Sequence, residues 1–313
     1  MYNVKRMQTL IITNISVPYA ERPSPKEKSL KQFVHGVNSS QNGQQVEFCS
    51  VQDLLFVIRD GRPDILWRNR SLRTIADIVY LRNAGKFTDY ANALRLYCDA
   101  HGISMINYED AKFPYYGKVS QGFLYALHGI PTPDLVSSPE GNTLLDYLKN
   151  DRPNGSLIIK DCYGIKGLRN YLVKNIDEAE QILLASGHHY VVQPYIENSG
   201  ELRILTFGLG GEKVIFKKNR VDGSHLNNTS QGGKAIALEE KDVPSGVLDT
   251  VENILQLTGR ELIGVDFLLA EDGKWYVLEA NTTPALDDGA FPELKVEMFG
   301  RMVQALALGR RSK

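Results

Sequence analysis

The sequence predicts an α/β fold whose C-terminal part is α+β, and three observations carry that prediction. Through residue 110, apolar strand-like runs alternate with segments of helical spacing, the pattern of a small, mostly parallel sheet covered by helices. Beyond residue 200, strand-like runs come in pairs separated by short glycine-containing turns, the pattern of antiparallel hairpins. The length, 313 residues, is enough for two or three compact units with a substantial core.

Composition narrows the function classes. Hydrophobic residues make up 42% and charged residues 23% of the chain, ordinary values for a soluble globular protein. A net charge of −1 provides no global field for nucleic acid or an anionic membrane. Cys49, Cys98 and Cys162 are far apart and form no CxxC pair, which fits a reducing compartment better than a disulfide framework or a zinc site. The apolar run at residues 10–15 is short and broken by Thr13 and Asn14, so it reads as a first strand and not as a signal peptide. No run reaches the length of a membrane span. The expectation is a cytoplasmic protein with no nucleic-acid or membrane partner.

In chain order, residues 9–15 read as a buried strand and 18–28 as a loop rich in proline and charge. Residues 29–37 read as a short helix, 38–45 as a polar turn, 46–50 as a strand, 51–59 as a helix, and 64–67 and 75–81 as strands. Phe87, Tyr90, Ala91, Leu94, Tyr97 and Cys98 follow helical spacing, and Gly102 stops that helix. Residues 103–106 return to a strand. Residues 118–128 read as a helix ended by Gly129, followed by an extended stretch through Pro131 and Pro133. A helix at 141–149, a strand at 157–160, a helix at 177–186 and a strand at 190–193 follow. Residues 202–207 and 213–218 form a predicted hairpin over Gly210-Gly211. An amphipathic helix at 244–257 and a last helix at 292–308 enclose the stretch that carries the most chemistry.

That stretch is residues 264–286. Residues 265–269 and 275–280 read as two strands, and Asp272-Gly273 between them predicts a two-residue type I′ turn. Such a turn pairs Glu271 with Lys274 and, counting back, Asp266 with Glu279. Asn281 shares the face of Glu279 because strand side chains repeat every two residues. Directly opposed residues have Cβ atoms about 4.5–5.5 Å apart, so two carboxylates there repel, and something positive should offset them. Asp266, Glu279 and Asn281 are hard oxygen donors of the kind that hold Mg²⁺ together with phosphate oxygens and water. The competing reading is a solvated strand edge with two unrelated acids.

Lys160 ends a strand and is followed by a loop containing Gly164 and Gly167. Glycines let backbone N–H groups approach phosphate oxygens, and a lysine supplies a point charge. The pattern is not a Walker loop, since no GK[ST] follows, and an ordinary turn has the same spacing. Glu201 and Arg203 share one face of their strand. A two-residue turn at Gly210-Gly211 sets Arg203 against Lys218 and Glu201 against Arg220, which gathers three cations and an acid; a salt-bridged solvent face gives the same pattern.

Asp266, Glu279-Ala280-Asn281 and Pro284 resemble the metal-binding end of the ATP-grasp ligases, most of all the branch of ribosomal-protein glutamate ligase-like carboxylate–amine ligases. Lys118, Lys160, Gly164/Gly167, Gln193–Ile196, Arg203, Arg220, Asn228 with Gly232-Gly233, and Asp266/Glu279/Asn281 fall in that family's order. The resemblance implies an ATP-grasp fold with an N-terminal α/β domain over residues 1–113, a central lobe over 114–194 and a C-terminal lobe over 195–313. It implies ATP and Mg²⁺, with Mn²⁺ as a substitute, as cofactors, and a carboxylate substrate and an amine as partners. By the same resemblance Lys118 and Lys160 hold phosphates, and the backbone at Gln193, Tyr195 and Ile196 reads adenine. Glu201 takes the ribose, Arg203 and Arg220 the transferring phosphoryl group and acyl phosphate, and Asn228 faces substrate or phosphate. Asp266, Glu279 and Asn281 would be the metal ligands. Leu226 stands where this branch often has an arginine, a departure from the family pattern that leaves recognition of the acceptor carboxylate open. An ATP-grasp kinase, a D-alanine–D-alanine-type ligase and a non-catalytic nucleotide-binding module are the alternative functions.

Overall fold

The computed structural model describes residues 7–14, 24–40, 44–82, 86–108, 117–151, 155–164, 168–185, 187–219, 235–287 and 289–311. The first part contains β1 (Met7–Thr13), α1 (Pro25–Ser40), β2 (Gln44–Ser50), β3 (Leu54–Arg59), β4 (Arg62–Trp67), β5 (Arg70–Ser71), α2 (Leu72–Ile75), β6 (Ile78–Leu81), α3 (Thr88–Ala100) and β7 (Ser104–Ile106). As the alternation predicts, β1, β2, β6 and β7 form a parallel sheet, in the order β2-β1-β6-β7.

Three local readings are corrected. Residues 51–59 are not a helix: Leu54–Arg59 is a strand, folded antiparallel onto β4 through Asp60-Gly61. Both turn residues have positive φ, 50° and 71°, the type I′ signature that Asp-Gly favours. Helix α1 is longer than residues 29–37. It starts at Pro25, a residue suited to a first turn that needs no N–H, and Ser24 Oγ caps it by accepting from the Glu27 N–H at 3.2 Å. The stretch 75–81 divides into the end of α2 and strand β6, which starts at Ile78.

The remainder contains α4 (Lys118–Leu127), β8 (Val136–Ser138), α5 (Gly141–Asp151), β9 (Leu157–Asp161), β10 (Asn170–Val173), α6 (Ile176–Ala185), β11 (Tyr190–Pro194), β12 (Asn198–Phe207), β13 (Glu212–Asn219), β14 (Ala235–Ala237), α7 (Val247–Thr258), β15 (Gly264–Ala270), β16 (Trp275–Asn281) and α8 (Pro292–Arg311). Two antiparallel sheets result, β10-β9-β11-β8 and β14-β13-β12-β15-β16. Helices α5 and α6 cover the first, through Leu144, Leu148, Ala179 and Leu183. Helix α7 covers one face of the second, through Val247, Val251, Ile254 and Leu255.

The parallel sheet and the five-stranded sheet share one core. Ile11, Phe33 and Tyr80 pack with Phe207, Phe216 and Phe299, so helices α1 and α8 lie between the two sheets. Asn107 adds a polar stitch. Its buried side chain accepts from the N–H groups of Glu261 and Leu262 at 3.0 and 2.9 Å and donates to the Leu262 carbonyl at 2.7 Å. Its φ of 57° is the left-handed conformation that asparagine tolerates.

Candidate active site

Two register differences position the site residues, and both leave their faces unchanged. The β15–β16 loop is three residues, 271–273, and not a type I′ pair. Ala270 N–H donates to Lys274 O at 2.9 Å, and Gly273 takes the left-handed position at φ 84°. Near the turn this sets Leu269 against Trp275, one residue away from the expected register. An irregularity between Asp266 and Phe267 then restores it, and Asp266 does oppose Glu279. The β12–β13 loop is four residues, 208–211, so Glu201 opposes Lys218, and Arg203 opposes Phe216 in place of Lys218. A shift of two keeps every side chain on its face. Arg203 meets its charge partner on the other side, because β12 also pairs with β15 and places Arg203 opposite Asp266.

One face of four adjacent strands thus carries Lys218, Glu201, Arg203, Asp266, Glu279 and Asn281. Arg203 Nε donates to Asp266 Oδ1 at 2.7 Å, and its Nη2 donates to Oδ2. Lys218 Nζ donates to Asp266 Oδ1 at 2.9 Å and to Glu201 Oε2 at 3.0 Å. Asn281 Nδ2 donates to Glu279 Oε1 at 3.0 Å and Asp266 Oδ2 at 3.3 Å. Asp266 and Lys218 are each 3% exposed. Burial pushes the Asp266 carboxyl up, but the Arg203 and Lys218 charges outweigh it and hold it at about 2. Burial likewise works against the Lys218 ammonium, and Asp266 and Glu201 raise it above its ordinary value. The positive charge needed beside the two acids is therefore supplied by the chain itself.

Strand β9 brings Lys160 to this face from the smaller sheet. Burial, helped by nearby Lys118, pulls the Lys160 ammonium below its ordinary value, against the attraction of Glu201 and Glu279. Lys118, at the start of α4, donates from Nζ to the Gly164 carbonyl at 2.9 Å. Gly164 is required by space: a Cβ there would lie 2.7 Å from the Leu168 carbonyl oxygen. Asp161, 3% exposed, holds both ends of this loop. It accepts from the Tyr163 N–H at 2.7 Å, is ion-paired to Arg169, and lies 3.6 Å from His188 Nδ1. Burial raises the Asp161 carboxyl, but these hydrogen bonds and the Arg169 charge leave it below its usual range.

Gln193 lies in β11, opposite Ile158 of β9, and Tyr195 and Ile196 follow the end of that strand. The Tyr195 N–H donates to the Ser156 carbonyl at 2.9 Å, so it serves the fold and is not available to a base. Gly167, Arg220 and Asn228 lie outside the described residues.

Sequence reasoning gathered Lys218 on this face but against Arg203; it is the buried counter-charge of Asp266. Two further residues support the site that sequence reasoning did not place in it. Asp161 organises the loop after β9. Gln121 on α4 pairs with Ala280 as a neighbouring strand would: the Ala280 N–H donates to Oε1 at 2.7 Å, and Nε2 donates to the Ala280 carbonyl at 3.2 Å. This fixes Lys118, three residues earlier, relative to Glu279 and Asn281. A glutamine on a helix carries no local signal of that role.

Comparison with known proteins gives the family. The RimK-like ATP-grasp domain family model matches residues 118–306. A probable alpha-L-glutamate ligase of Parasynechococcus marenigrum (strain WH8102) is 24% identical over 272 residues, covering 85% of this chain and 57% of the relative, so the chain spans less than two thirds of that protein. Among solved structures, a Chryseobacterium gregarium RiPP-associated ATP-grasp ligase, in complex with ADP and a leader and core peptide, superposes with a TM-score of 0.66 at 16% identity, covering 96% of this chain and 97% of that one. The ATP-grasp ligase PsnB, complexed with minimal precursor, Mg and ADP, gives a TM-score of 0.65 at 15% identity, covering 94% and 97%. No described helix is long and apolar enough to cross a membrane. With the family's domain matched over more than half of this chain and the ATP-grasp fold shared with solved structures, this chain belongs to the RimK-like ATP-grasp family.

Proposed function

We propose that the protein is an ATP-dependent carboxylate–amine ligase. The observation that carries this reading is that Lys160, with Lys118 beside it, lies within electrostatic reach of Glu201 and Glu279, on the strand face that also holds Arg203, Asp266 and Asn281. Polyphosphate binding needs cations, and phosphoryl transfer needs a hard-cation site beside them. The donor set fits Mg²⁺: two carboxylates and an amide, all hard oxygens, on adjacent strands. Asp266 already accepts four hydrogen bonds, the full capacity of its two oxygens, so Arg203 or Asn281 must release it before it can serve as a ligand. Mg²⁺, when bound, neutralises charge on the phosphate oxygens.

In this mechanism a substrate carboxylate oxygen attacks the γ-phosphorus and ADP leaves, giving an acyl phosphate. An amine nitrogen then attacks the acyl carbon, inorganic phosphate leaves and the amine loses a proton. Lys118 and Lys160 orient the phosphates, and Arg203 moves from Asp266 to the transferring phosphoryl group. The Ile196 N–H is the hinge donor to adenine, with Gln193 and Tyr195 beside the base and Glu201 on the ribose. By the family resemblance Gly167 would serve the phosphates, and Arg220 and Asn228 the acyl phosphate and substrate; all three lie outside the described residues. L-Glutamate is the first amine to test, by analogy with the glutamate ligase relative.

The experiment is ADP release over carboxylate and amine pairs, with mass spectrometry of the products. A mass gain of one amino acid less one water identifies ligation. ADP release that needs no amine, with a phosphorylated product, would replace this reading with a kinase. Folded protein that binds Mg-ATP and turns over no mixture would reduce it to a binding module.

A further inference from the structure

We propose that the N-terminal part of the chain carries a binding site for a free acidic α-amino acid, separate from the candidate active site. A cavity of about 80 Å³ lies between the parallel sheet and the small sheet β3-β4-β5, and Gln8, Gln45, Glu47, Trp67, Arg68 and Arg70 supply its polar and aromatic lining. A water molecule takes about 10–15 Å³ of such space, so there is room for about five to eight waters or one small molecule, and none for a nucleotide.

Register brings these side chains together. In the parallel sheet Gln8 stands beside Gln45 and Leu10 beside Glu47, and residues two apart share a face. Leu10 packs in the same core as Trp67, so this face looks toward the small sheet. Trp67 and Arg70 are opposed across β4 and β5, which puts both on one face of the small sheet. Arg68 comes from the turn between them. It has φ 51° and Asn69 has φ 59°, a type I′ geometry that asparagine tolerates and that strains arginine. The turn holds the Arg68 guanidinium 4.2 Å from the Trp67 ring centroid and 3.5 Å from Glu47.

These polar groups satisfy one another poorly. Gln8 Nε2 to Gln45 Oε1 and Gln45 Nε2 to Glu47 Oε1 are both 3.4 Å, at the outer limit of a hydrogen bond. The Arg70 guanidinium has no partner among the described residues. In the same small sheet the Asp64 carboxylate accepts from the Ser71 and Tyr97 hydroxyls at 2.6 Å each, so the loose contacts are particular to the cavity. Two guanidiniums and one carboxylate around one space complement an acidic amino acid. Its two carboxylates answer Arg68 and Arg70, its ammonium answers Glu47, and its methylenes lie against the Trp67 ring. A dicarboxylate without an amine would leave Glu47 unanswered, and a neutral amino acid would leave one arginine so.

The chain has two tryptophans, Trp67 and Trp275, so in Trp275→Phe the fluorescence reports Trp67 alone. L-Glutamate should change that fluorescence saturably, and glutarate, which lacks the ammonium, should bind about tenfold more weakly or worse. Glu47→Gln should erase the preference for L-glutamate over glutarate. Arg68→Asn, which keeps the turn, and Arg70→Gln should each weaken L-glutamate binding by about tenfold or more. Calorimetry of the chain with both tryptophans gives the same comparisons if Trp275→Phe does not fold. Neither readout needs ATP turnover, so the outcome is independent of the ligase reading. No binding of L-glutamate at millimolar concentration overturns the proposal. So does binding that both arginine variants leave unchanged, which would place the amino acid elsewhere, and so does a preference over glutarate that survives Glu47→Gln.

Discussion

Arg203 and Asp266 face each other across β12 and β15 and are joined fork to fork, Nε to Oδ1 at 2.7 Å and Nη2 to Oδ2. Sixty-three residues apart in sequence, they form the charge pair around which the candidate site is assembled. Asp266 is buried, so its ionised state depends on Arg203 and Lys218 remaining in place.

Acid stability should report this pair. The Asp266 carboxyl is lowered in the fold from 3.8 to about 2, so its contribution is fully present above about pH 4 and is lost as pH falls toward 2. That difference is worth about 2 kcal/mol. Asp266→Asn should lose that pH dependence. It should also lower stability at neutral pH by about 3–5 kcal/mol, because Lys218 is left buried with its main partner uncharged. Denaturant unfolding from pH 2 to 7 checks both. An acid limb unchanged in the variant removes Asp266 from the account.

Glu279 separates metal binding from structure. Its repulsion with Asp266 is balanced by attraction to Arg203 and Lys160. Glu279→Gln should therefore change unliganded stability by no more than about 0.5 kcal/mol, while abolishing most of the thermal shift produced by Mg-ADP. A variant that keeps the full shift would show that Glu279 holds no metal.

Lys160 is a cation held at a cost until a phosphate arrives. Burial lowers its ammonium pKa, so the charged form opposes folding below that value. Lys160→Met should leave the unliganded protein as stable or slightly more stable. Its nucleotide affinity should fall about 10- to 100-fold, the worth of a hydrogen bond to a charged group. Thermal unfolding and nucleotide titration together test this, and a destabilised variant with normal affinity would make Lys160 a structural residue.

Asp161 ties the two ends of the loop after β9. Asp161→Asn should cost about 1–3 kcal/mol, since a buried charged acceptor is replaced by a neutral one. It should also raise the KM for ATP, because Gly164 and the Lys118 contact rest on this loop. Denaturation and steady-state kinetics are the readouts. A loss of stability with unchanged KM would confine Asp161 to folding.

Local sequence determined the parts of this protein that depend on periodicity. The alternation of residues 1–110 specified a parallel sheet, because crossover helices leave that imprint on any chain that forms one. The helical stripes of α3 and α7 specified their buried faces. Period-two spacing placed Glu279 and Asn281 on one face. Asp266 came to oppose Glu279 although the turn was of a different type, because one irregularity cancelled one extra loop residue. Tertiary structure decided what local spacing does not encode. Residues 51–59 are apolar enough for either helix or strand, and pairing with β4 through Asp60-Gly61 made them a strand. Loop lengths at 208–211 and 271–273 depended on how glycine φ angles fit the strand twist. The partners of Asp266 came from β12 and β13, and those of Ala280 from α4. Such contacts join elements distant in the chain, and only packing of the whole core brings their side chains within hydrogen-bonding distance.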